Sequence, residues 1–513
     1  MEIIKDILKV EELKGHEEIE TLVDAEIYLE QTRPDIENIL WVDGKVEILS
    51  TKLISDKILI NGLVRFRVVY RSTEEGQEIC ILETNRDFRE EIEIEGISED
   101  MMEEIGYRVE YIEYDLVDER RINLNAFIIL WGRVEETNSA EIIEGIGENK
   151  NLQFLKEKIK YNDILLREEP YVLLKEAFEV GDETSAIQEV LKMDLHPYEK
   201  EVSISTDRII VSGVMECSVI YFDGIKLNSI KREIPFTHFL EMDGLTQDTQ
   251  CQIRMDVVEG EYEVRENIEG ELKVLDIESK IKMRIKVYEQ REKDVIVDAY
   301  STSNKVELEL EEITLMENMK DVIGRENILK ELKGKGLKEV YAIEGAPSII
   351  DSHYVDDKVL VEGILSLNIF CLEDLNDEII TLKEEIPYKS YITTEEFDKD
   401  VDVCVETGLE ELNYRLKDDV LTIDGTVKNH IFIDRQRRIE VVGDIMETDE
   451  LIDKKAGPSI IIYIIQEDDE LWDISKRYNT TVEEIILAND IASPSTLMPG
   501  EKIIIEKKID VEF

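Results

Sequence analysis

Much of the chain alternates apolar and polar residues with a period of two, which is typical of half-buried β-strands. The run IESKIKMRIKVYE, which begins at Ile277, is rich in isoleucine and valine and changes face at every residue. Comparable runs begin at Ile122 (INLNAFIILWGRV) and at Leu421 (LTIDGTVKNHIFI). The pattern predicts a mainly β fold.

One of these strand patterns occurs three times along the chain. The three segments read DKILINGLVRFRVVY, DRIIVSGVMECSVIY and DKVLVEGILSLNIFC, and their glycines Gly62, Gly213 and Gly363 are 151 and 150 residues apart. Such spacing predicts three tandem homologous β-rich domains, since a fixed period is the signature of a repeated unit. A glycine inside a strand predicts a β-bulge or a close approach of another group to the backbone.

The flanking sequence extends the repeats and sets the expected boundaries. Isoleucine-containing hexamers precede the glycines: DIENIL, AIQEVL and NILKEL. We interpret them as short helices that pack across a sheet face. Ile36 and Ile187 stand 26 residues before their glycines and Ile328 stands 35 before Gly363, so we expect an insertion in the third copy. The expected domains are residues 1–145, 146–305 and 306–450, followed by a polar linker over residues 451–458.

Composition narrows the function classes. The chain has 61 basic and 120 acidic residues and a formal net charge of −59, which argues against binding nucleic acid or an anionic membrane. A basic protein partner and a merely solvated surface both remain open. The five scattered cysteines form no C-x-x-C pair, which favours reduced thiols. The N-terminus lacks a signal-peptide pattern, and no stretch approaches 18 apolar residues, so we expect no membrane insertion.

No set of residues has the pattern of an active site or a metal site. His238 and His430 fall in strand-like segments, and no histidine stands at metal-ligand spacing to a cysteine or another histidine. We therefore predict a protein that is not an enzyme and needs no cofactor. The segment DRQRRIEVV, with Arg435, Arg437 and Arg438, is a local basic spot. It is either a hairpin tip with solvated arginines or a docking point for an acidic partner or a neighbouring domain.

The C-terminal residues have a different pattern, which predicts a small βααβ unit over residues 459–508. A strand (IIIYII) is followed by a helix that opens around Asp469, and then by a second helix with Thr481 and Glu484 in capping-box positions. Pro499 and Gly500 turn the chain into a last strand, KIIIE.

This unit resembles a LysM module. The residues that carry the resemblance are Tyr463, Asp469, Leu471, Trp472, Ile474, Asn489, Pro499 and Gly500. The resemblance implies a groove for N-acetylglucosamine polymers between the loop after the first strand and the loop after the second helix. The usual glycine and threonine of that groove are replaced here by Asp468 and Glu470.

We expect the groove to bind a protein, with binding of a glycan weak or lost. The retained apolar residues beside added carboxylates have the composition of a protein interface. We predict that Trp472 belongs partly to the module's core, with one edge lining the groove. The candidate site residues are Asp468, Asp469, Glu470, Leu471, Trp472, Asn489, Leu497, Met498 and Pro499. The alternative is a LysM lectin that tethers the chain to peptidoglycan.

Three similar β-rich domains before a single LysM also resemble the clostridial spore-morphogenesis proteins, which join SPOCS domains to a C-terminal LysM. That resemblance implies a scaffold for spore coat assembly. It also implies a protein partner, an ATPase similar to SpoIVA, and a location in the mother-cell cytoplasm at the forespore surface.

Overall fold

Antiparallel β-strands form nearly all of the chain in its computed structural model. The structure describes residues 3–73, 79–146, 151–181, 186–374, 379–397, 401–453, 458–491 and 498–506. The period-two runs become strands whose alternate side chains are buried, as in the strand that contains Leu275, Ile277, Ile281 and Met283. The predicted mainly β fold with three repeats and a small helical unit is therefore confirmed.

The strands fall into three groups of similar order. The first repeat contains β1 (Ile3–Tyr28), β2 (Ile36–Ile54), β3 (Lys57–Ser72), β4 (Ile79–Glu93), β5 (Met102–Asp118) and β6 (Arg121–Ile146). The second repeat contains β7 (Leu152–Glu168), β8 (Tyr171–Glu179), β9 (Glu189–Ile204), β10 (Arg208–Phe222), β11 (Leu227–Glu241), β12 (Thr249–Glu266) and β13 (Leu272–Ser301). The third repeat contains β14 (Asn304–Lys333), β15 (Leu337–Val355), β16 (Lys358–Glu373), β17 (Ile379–Thr393), β18 (Asp402–Lys417) and β19 (Val420–Leu451). The C-terminal module contains β20 (Ile460–Ile464), α1 (Leu471–Tyr478), α2 (Val482–Asn489) and β21 (Lys502–Glu506).

Each repeat is built from two antiparallel sheets. In the first repeat the strand orders are β1-β6-β5 and β2-β3-β4, and the third repeat has the same plan with β14-β19-β18 and β15-β16-β17. The second repeat differs because Pro170, which lacks an N–H to donate, separates β7 from β8, and both strands pair with the long β13. Side chains from the two sheets of each repeat meet in a buried aliphatic core.

The repeat glycines lie in the central strands β3, β10 and β16, each opposite an aromatic residue. Gly62 pairs with Phe88, Gly213 with Phe236 and Gly363 with Tyr388. A Cβ at any of these glycines would overlap that aromatic ring. On the other side of each glycine the neighbouring strand carries one extra residue, namely Leu49, Lys200 or Ile350. The expected close approach and the expected bulge are both present.

Replacing Gly62 with alanine is expected to lower the free energy of unfolding by about 2 kcal/mol, because overpacking a filled site forces neighbours to move. The new Cβ would overlap Phe88 and lie 2.9 Å from the carbonyl oxygen of Glu47, which the backbone cannot easily move. Gly408→Ala is the matched control, since a Cβ at this strand position meets no atom within 4 Å. Equal unfolding curves for both variants in urea would show that the ring contact is not tight.

The hexamers that we interpreted as helices are not helical. DIENIL runs into β2, AIQEVL runs into β9, and NILKEL lies inside β14. Six residues are too few to form a stable helix alone, and here their backbone groups bond to neighbouring strands. The described residues of the three repeats contain no α-helix at all.

The expected insertion in the third copy is also wrong. Ile36 pairs with Ser72 at the start of β2, and Leu337 pairs with Glu373 at the start of β15. Leu337 stands 26 residues before Gly363, the same spacing as in the other copies. Ile328 belongs to the preceding strand β14, so it does not correspond to Ile36 and Ile187.

The three repeats close into a ring in which each contacts the next through an equivalent carbonyl. Leu40, Leu191 and Tyr341 each stand 22 residues before their repeat glycine. The carbonyl of Leu191 accepts a hydrogen bond from Arg67 Nη1 at 2.9 Å. Likewise, Ser229 Oγ donates to the carbonyl of Tyr341 at 2.7 Å, and Thr381 Oγ1 donates to that of Leu40 at 3.0 Å. The first repeat thus donates to the second, the second to the third and the third to the first. This cyclic order gives the ring pseudo-threefold symmetry.

A single lysine joins all three repeats at the centre of this ring. Lys192 Nζ lies 3.2 Å from Asp43, 3.4 Å from Asp194 and 2.8 Å from Glu344. These three carboxylates occupy the same repeat position, 19 residues before each glycine. Lys192 is almost completely buried, and its pKa lies above the ordinary value because the attraction of the three carboxylates outweighs desolvation. The symmetry of the repeats brings three carboxylates together at this point, and the single positive charge of Lys192 neutralises part of their negative charge.

The same junction predicts a pH dependence. Burial, together with repulsion from Asp194 and Asp43, raises the pKa of Glu344 to about 7, against an ordinary value near 4.5. Because this carboxyl binds its proton more tightly in the folded chain, its contribution to stability is complete below about pH 4.5 and is lost as the pH rises through about 7. Urea unfolding between these pH values should show this loss in the native chain. The loss should be absent in Glu344→Gln. If the free energy of unfolding of that variant still falls with pH as it does in the native chain, other groups cause the pH dependence.

The basic spot lies within β19 and contacts its neighbours in the ring. It is not the hairpin tip that we had considered. Arg437 forms an ion pair with Glu157 of the second repeat, Arg435 pairs with Glu317 of its own repeat, and Arg438 is exposed. Of the two alternatives left open, contact with a neighbouring repeat is the one observed.

Candidate functional site

The C-terminal module places two short helices on one face of a two-stranded sheet. β20 and β21 pair in antiparallel register from Ile460–Glu506 to Ile464–Lys502. The predicted strand KIIIE coincides with β21, and IIIYII forms β20 and the buried Ile465. The module's core consists of Ile465, Leu471, Ile474, Ile485, Ile503 and Ile505.

The two helix starts differ in how they are capped. For α2 the predicted capping box is present, since Glu484 N donates to Thr481 Oγ1 at 3.1 Å and Thr481 N donates to Glu484 Oε2. For α1 the expected start near Asp469 is two residues early, because the helix begins at Leu471. Its N-cap is Glu470, whose side chain makes no capping hydrogen bond. The carboxylate of Glu470 is exposed and remains available to a partner.

The loop between β20 and α1 contains Asp468, which departs from the LysM pattern, and Asp469, which belongs to it. Asp468 has a φ of +67°, the left-handed conformation that glycine adopts without cost and that Asp tolerates better than most residues. Asp469 turns inward, where its Oδ2 accepts hydrogen bonds at 2.7 Å from the backbone N–H of Gln466 and from the hydroxyl of Tyr463. These bonds lower the pKa of Asp469. Asp469 therefore holds the loop, and Asp468 is exposed.

Two other candidate site residues are used inside the module. Leu471 is buried in the core. Asn489 joins α2 to β21, because its amide donates to the carbonyls of Ile485 and Ile504 at 2.8 and 2.7 Å and its oxygen accepts from Ile504 N at 2.6 Å. Met498 and Pro499 are exposed at the turn before β21, and Leu497 lies outside the described residues.

Trp472 points away from its own module and contacts the second repeat. Its indole Nε1 donates to Asp298 Oδ2 at 2.8 Å, and its ring meets the Tyr300 ring edge-on with centroids 4.9 Å apart. Lys476 Nζ lies 2.7 Å from both carboxylate oxygens of Asp298. The Tyr300 hydroxyl donates to the carbonyl of Thr480 at 2.8 Å and lies 2.9 Å from Ser475 Oγ. We call this set the α1–β13 contact.

The α1–β13 contact fixes the orientation of the module. Tyr300 is buried, and burial raises its pKa to about 12, so its hydroxyl stays protonated as the donor. The contact joins a polar network to an aromatic pair, which together are more specific in direction than an apolar contact. Trp472 is half-buried, but in an interface between domains and not in the module's own core, where the sequence pattern had placed it.

Four of the six outward side chains of the module's sheet are isoleucines open to solvent, and the other two are Lys502 and Glu506. Ile460, Ile462 and Ile464 on β20 are 60%, 66% and 47% exposed, and Ile504, which pairs with Ile462, is 39% exposed. We call these four residues the isoleucine face. Strands that are apolar on both sides are typical of sheets covered on both sides. The face is therefore a candidate docking surface, and the run IIIYII was the sequence signal for it.

No catalytic arrangement emerges from the described residues. A shallow depression of about 540 Å³ on the first repeat is lined by Lys14, Gly15, Glu17, Asp56, Lys57, Glu93, Ile94 and Glu95. It contains no histidine, cysteine, serine or threonine, and Lys57 is paired with Glu91 and Glu93. Among the described residues no cluster of His, Cys, Asp and Glu is arranged to hold a metal ion. In the same part of the chain, no helix has the length and apolar character needed to span a bilayer.

These features define a class: a protein of three repeated two-sheet units that carries a small binding module on its last segment. Residues 35–117, 186–265 and 337–417 each match the family described as SipL, SPOCS domain, and residues 463–506 match the LysM domain. The chain thus consists of three SPOCS domains of the spore-coat morphogenesis type followed by a LysM domain. Both families are structural or binding domains. No curated protein and no solved structure matches the chain.

Proposed function

We propose that this protein is a non-enzymatic scaffold of spore coat assembly whose LysM domain docks a coat protein. The ring of three SPOCS domains is the rigid body, and the α1–β13 contact holds the LysM domain on it. By the resemblance of the architecture, the partner is an ATPase similar to SpoIVA, and the complex forms at the forespore surface in the mother-cell cytoplasm. The match to the SPOCS family supports a location at the spore coat.

The observation that carries this proposal is the isoleucine face. Its four side chains are exposed next to one another on a flat sheet, where burial of each aliphatic side chain contributes roughly 1.5–3 kcal/mol. Sugar rings, by contrast, are bound through hydrogen bonds in a groove. A protein with an apolar surface of its own is the occupant that gains most from covering this face.

The residues of the groove also favour a protein partner over a glycan. Asn489, which the LysM resemblance placed in the groove, has both polar atoms engaged with α2 and β21. Asp468 and Glu470 are exposed carboxylates at positions where LysM modules usually have a glycine and a hydroxyl. Met498 and Pro499 add exposed apolar surface at the same end of the module. We propose that Asp468, Glu470, Met498 and Pro499 form the rim of the protein interface.

Ile462→Arg is expected to weaken binding of the full chain to a purified SpoIVA-like ATPase by about tenfold or more, since each 1.4 kcal/mol is a factor of ten. The change places a charge at the centre of the isoleucine face without touching the core. Leu487→Arg is the matched control, because Leu487 is 75% exposed on α2 and is not part of that face. Isothermal titration calorimetry would measure both. Equal affinities for the two variants would remove the isoleucine face from the interface.

The lectin alternative is tested on the same chain with a chitin tetramer and with sedimented peptidoglycan. We expect no binding at micromolar concentration by the native protein. Asp468→Gly combined with Glu470→Thr should not improve binding to the ATPase and would be the variant in which glycan affinity returns. Low-micromolar binding of the tetramer to the native chain would favour the lectin and count against the scaffold.

A further inference from the structure

We propose a second docking surface, on the first SPOCS domain and separate from the LysM domain, that binds a basic protein segment with apolar side chains. The surface is the solvent side of the β1-β6-β5 sheet. It is defined by five residues, which we call the aromatic band: Leu22, Tyr111, Phe127, Ile129 and Trp131.

The strand register places these residues side by side. Leu22 on β1 pairs with Phe127 on β6, and Phe127 pairs with Tyr111 on β5, so the three side chains form one row across the sheet. The rings of Tyr111 and Phe127 stack with centroids 4.2 Å apart. Leu22 is 49% exposed and Tyr111 is 44% exposed, and Phe127 is half-buried between them.

The band continues along β6 towards Trp131. Ile129 and Trp131 follow Phe127 at alternate positions and therefore lie on the same side of the sheet, where Ile129 is only 5% exposed and Trp131 is half-buried. Trp131 lies over Gly106 of β5, where a Cβ would overlap the indole, and its ring is 6.0 Å from that of His16 on β1. The glycine leaves the tryptophan flat against the sheet. The result is a continuous apolar strip about three residue pairs long.

Comparison among the repeats shows that the fold does not require this strip. Ile122, Leu275 and Leu421 are fully buried at corresponding points of β6, β13 and β19, where they pair with Leu116, Val264 and Leu416. Five residues later Phe127 of the first repeat corresponds to Lys280 of the second and Thr426 of the third.

The next outward positions differ in the same way. Ile129 corresponds to Lys282 and Lys428, and Trp131 corresponds to Arg284 and His430. Two repeats of one fold are thus stable with charged or polar residues on this side. The fold therefore does not require the apolar strip, and a partner is the explanation that the exposure of Leu22 and Tyr111 favours.

Charge selects the kind of partner. The carboxylates that border the band are Glu18, Glu20, Asp24, Glu26, Glu113 and Asp115. The three nearby arginines are already paired, Arg108 with Glu18 at 3.7 Å, Arg121 with Asp118 at 3.7 Å and Arg133 with Glu135 at 3.0 Å. A second copy of this chain would bring the same carboxylates and a net charge of −59 to the contact. A segment with Lys or Arg beside apolar side chains complements both features of the surface.

Two labelled amphipathic peptides test the proposal on the full-length chain by fluorescence anisotropy. They share one leucine and phenylalanine stripe, which lysines flank in the first peptide and glutamates flank in the second. Phe127→Glu and Leu22→Lys each place a charge at the centre of the band, where the third repeat has the polar residues Thr426 and Asn327, which pair with each other there. Leu329→Lys is the matched control, because Leu329 is 70% exposed and pairs with Asp424, outside any apolar band.

We expect the lysine peptide to bind the native chain, with affinity that falls as salt is added. It should bind about tenfold or more weakly to Phe127→Glu and to Leu22→Lys, and with unchanged affinity to Leu329→Lys. Binding of the glutamate peptide at equal strength, unchanged binding by both band variants, or no binding of either peptide would overturn the proposal. So would a concentration-dependent dimer that dissociates in Phe127→Glu, since the occupant would then be a second copy. Ile462→Arg leaves the aromatic band intact, so the result of the peptide experiment does not depend on the result of the LysM experiment.

Discussion

Lys192→Met is expected to lower the free energy of unfolding by about 3 kcal/mol, since removing one partner of a buried ion pair leaves the other charge uncompensated. Methionine keeps most of the aliphatic volume of the side chain, so the loss reports charge and not a cavity. Asp43, Asp194 and Glu344 retain some access to water, which places the estimate at the lower end of the usual range. Because each of these carboxylates comes from a different repeat, we expect the ring to loosen before any repeat unfolds.

Urea unfolding with hydrogen exchange would test this expectation for the full chain. Amides near Leu40, Leu191 and Tyr341 should exchange faster in the variant, since their carbonyls hold the ring closed. Lys231→Met is the matched control, because Lys231 pairs with Glu216 at 2.8 Å on the surface and is expected to contribute less than about 1 kcal/mol. Equal effects of the two substitutions would mean that the central lysine is no more than another surface ion pair.

The three SPOCS domains could be recognised from sequence because the fold constrains one position in each of them. Only glycine fits between an aromatic ring and a bulged neighbour strand, so Gly62, Gly213 and Gly363 carried the repeat. The alternation of apolar residues then gave the strands. The hexamers were misread because three or four apolar residues within six positions satisfy a helical period as well as a strand that is partly buried on both sides. Only pairing with distant strands decides between them.

The ring could not be predicted from the sequence, because the residues that close it do not form a recognisable repeated pattern. Its central cation has no counterpart in the other repeats, where Trp41 and Ala342 occupy the position of Lys192. A pattern that depends on repetition does not reveal a residue that occurs once. The carboxylates that it joins are repeated, but among 120 acidic residues their spacing could not be distinguished from the rest.

The LysM module was predicted correctly, but several residues assigned to its groove have structural roles inside the module. Motif positions such as Asp469, Leu471 and Asn489 maintain the module's own loop, core and helix contact. A motif records the residues that the fold needs together with those that the ligand needs, and a sequence alone does not separate them. The positions that vary from the motif, Asp468 and Glu470, are both exposed. Trp472 was misjudged because its partners, Asp298 and Tyr300, are more than 170 residues away.

Trp472→Ala is expected to release the LysM domain from the second SPOCS domain. Truncating a buried tryptophan costs roughly 3–5 kcal/mol, and because Trp472 is half-buried we expect about 2–3 kcal/mol. The change removes the edge-on contact with Tyr300 and the hydrogen bond to Asp298, and it leaves the module's aliphatic core in place. A shift of this size changes the population of the released domain by a factor of about 30 to 150. Partner binding should weaken with it, since the isoleucine face loses its fixed orientation.

Hydrogen exchange of α1 and of the end of β13 measures the release directly. Trp472→Phe should have a smaller effect, because it keeps a ring against Tyr300 and loses only the donor to Asp298. Asp298→Asn should weaken the pairing with Lys476 and loosen the same two segments. Its matched control is Asp444→Asn in the third repeat, where the carboxylate accepts from the next backbone N–H as Asp298 does but contacts Lys5 instead of the LysM domain. If Asp444→Asn and Asp298→Asn increase exchange in α1 equally, the α1–β13 contact does not hold the domain. Unchanged exchange in β13 of Trp472→Ala would lead to the same conclusion.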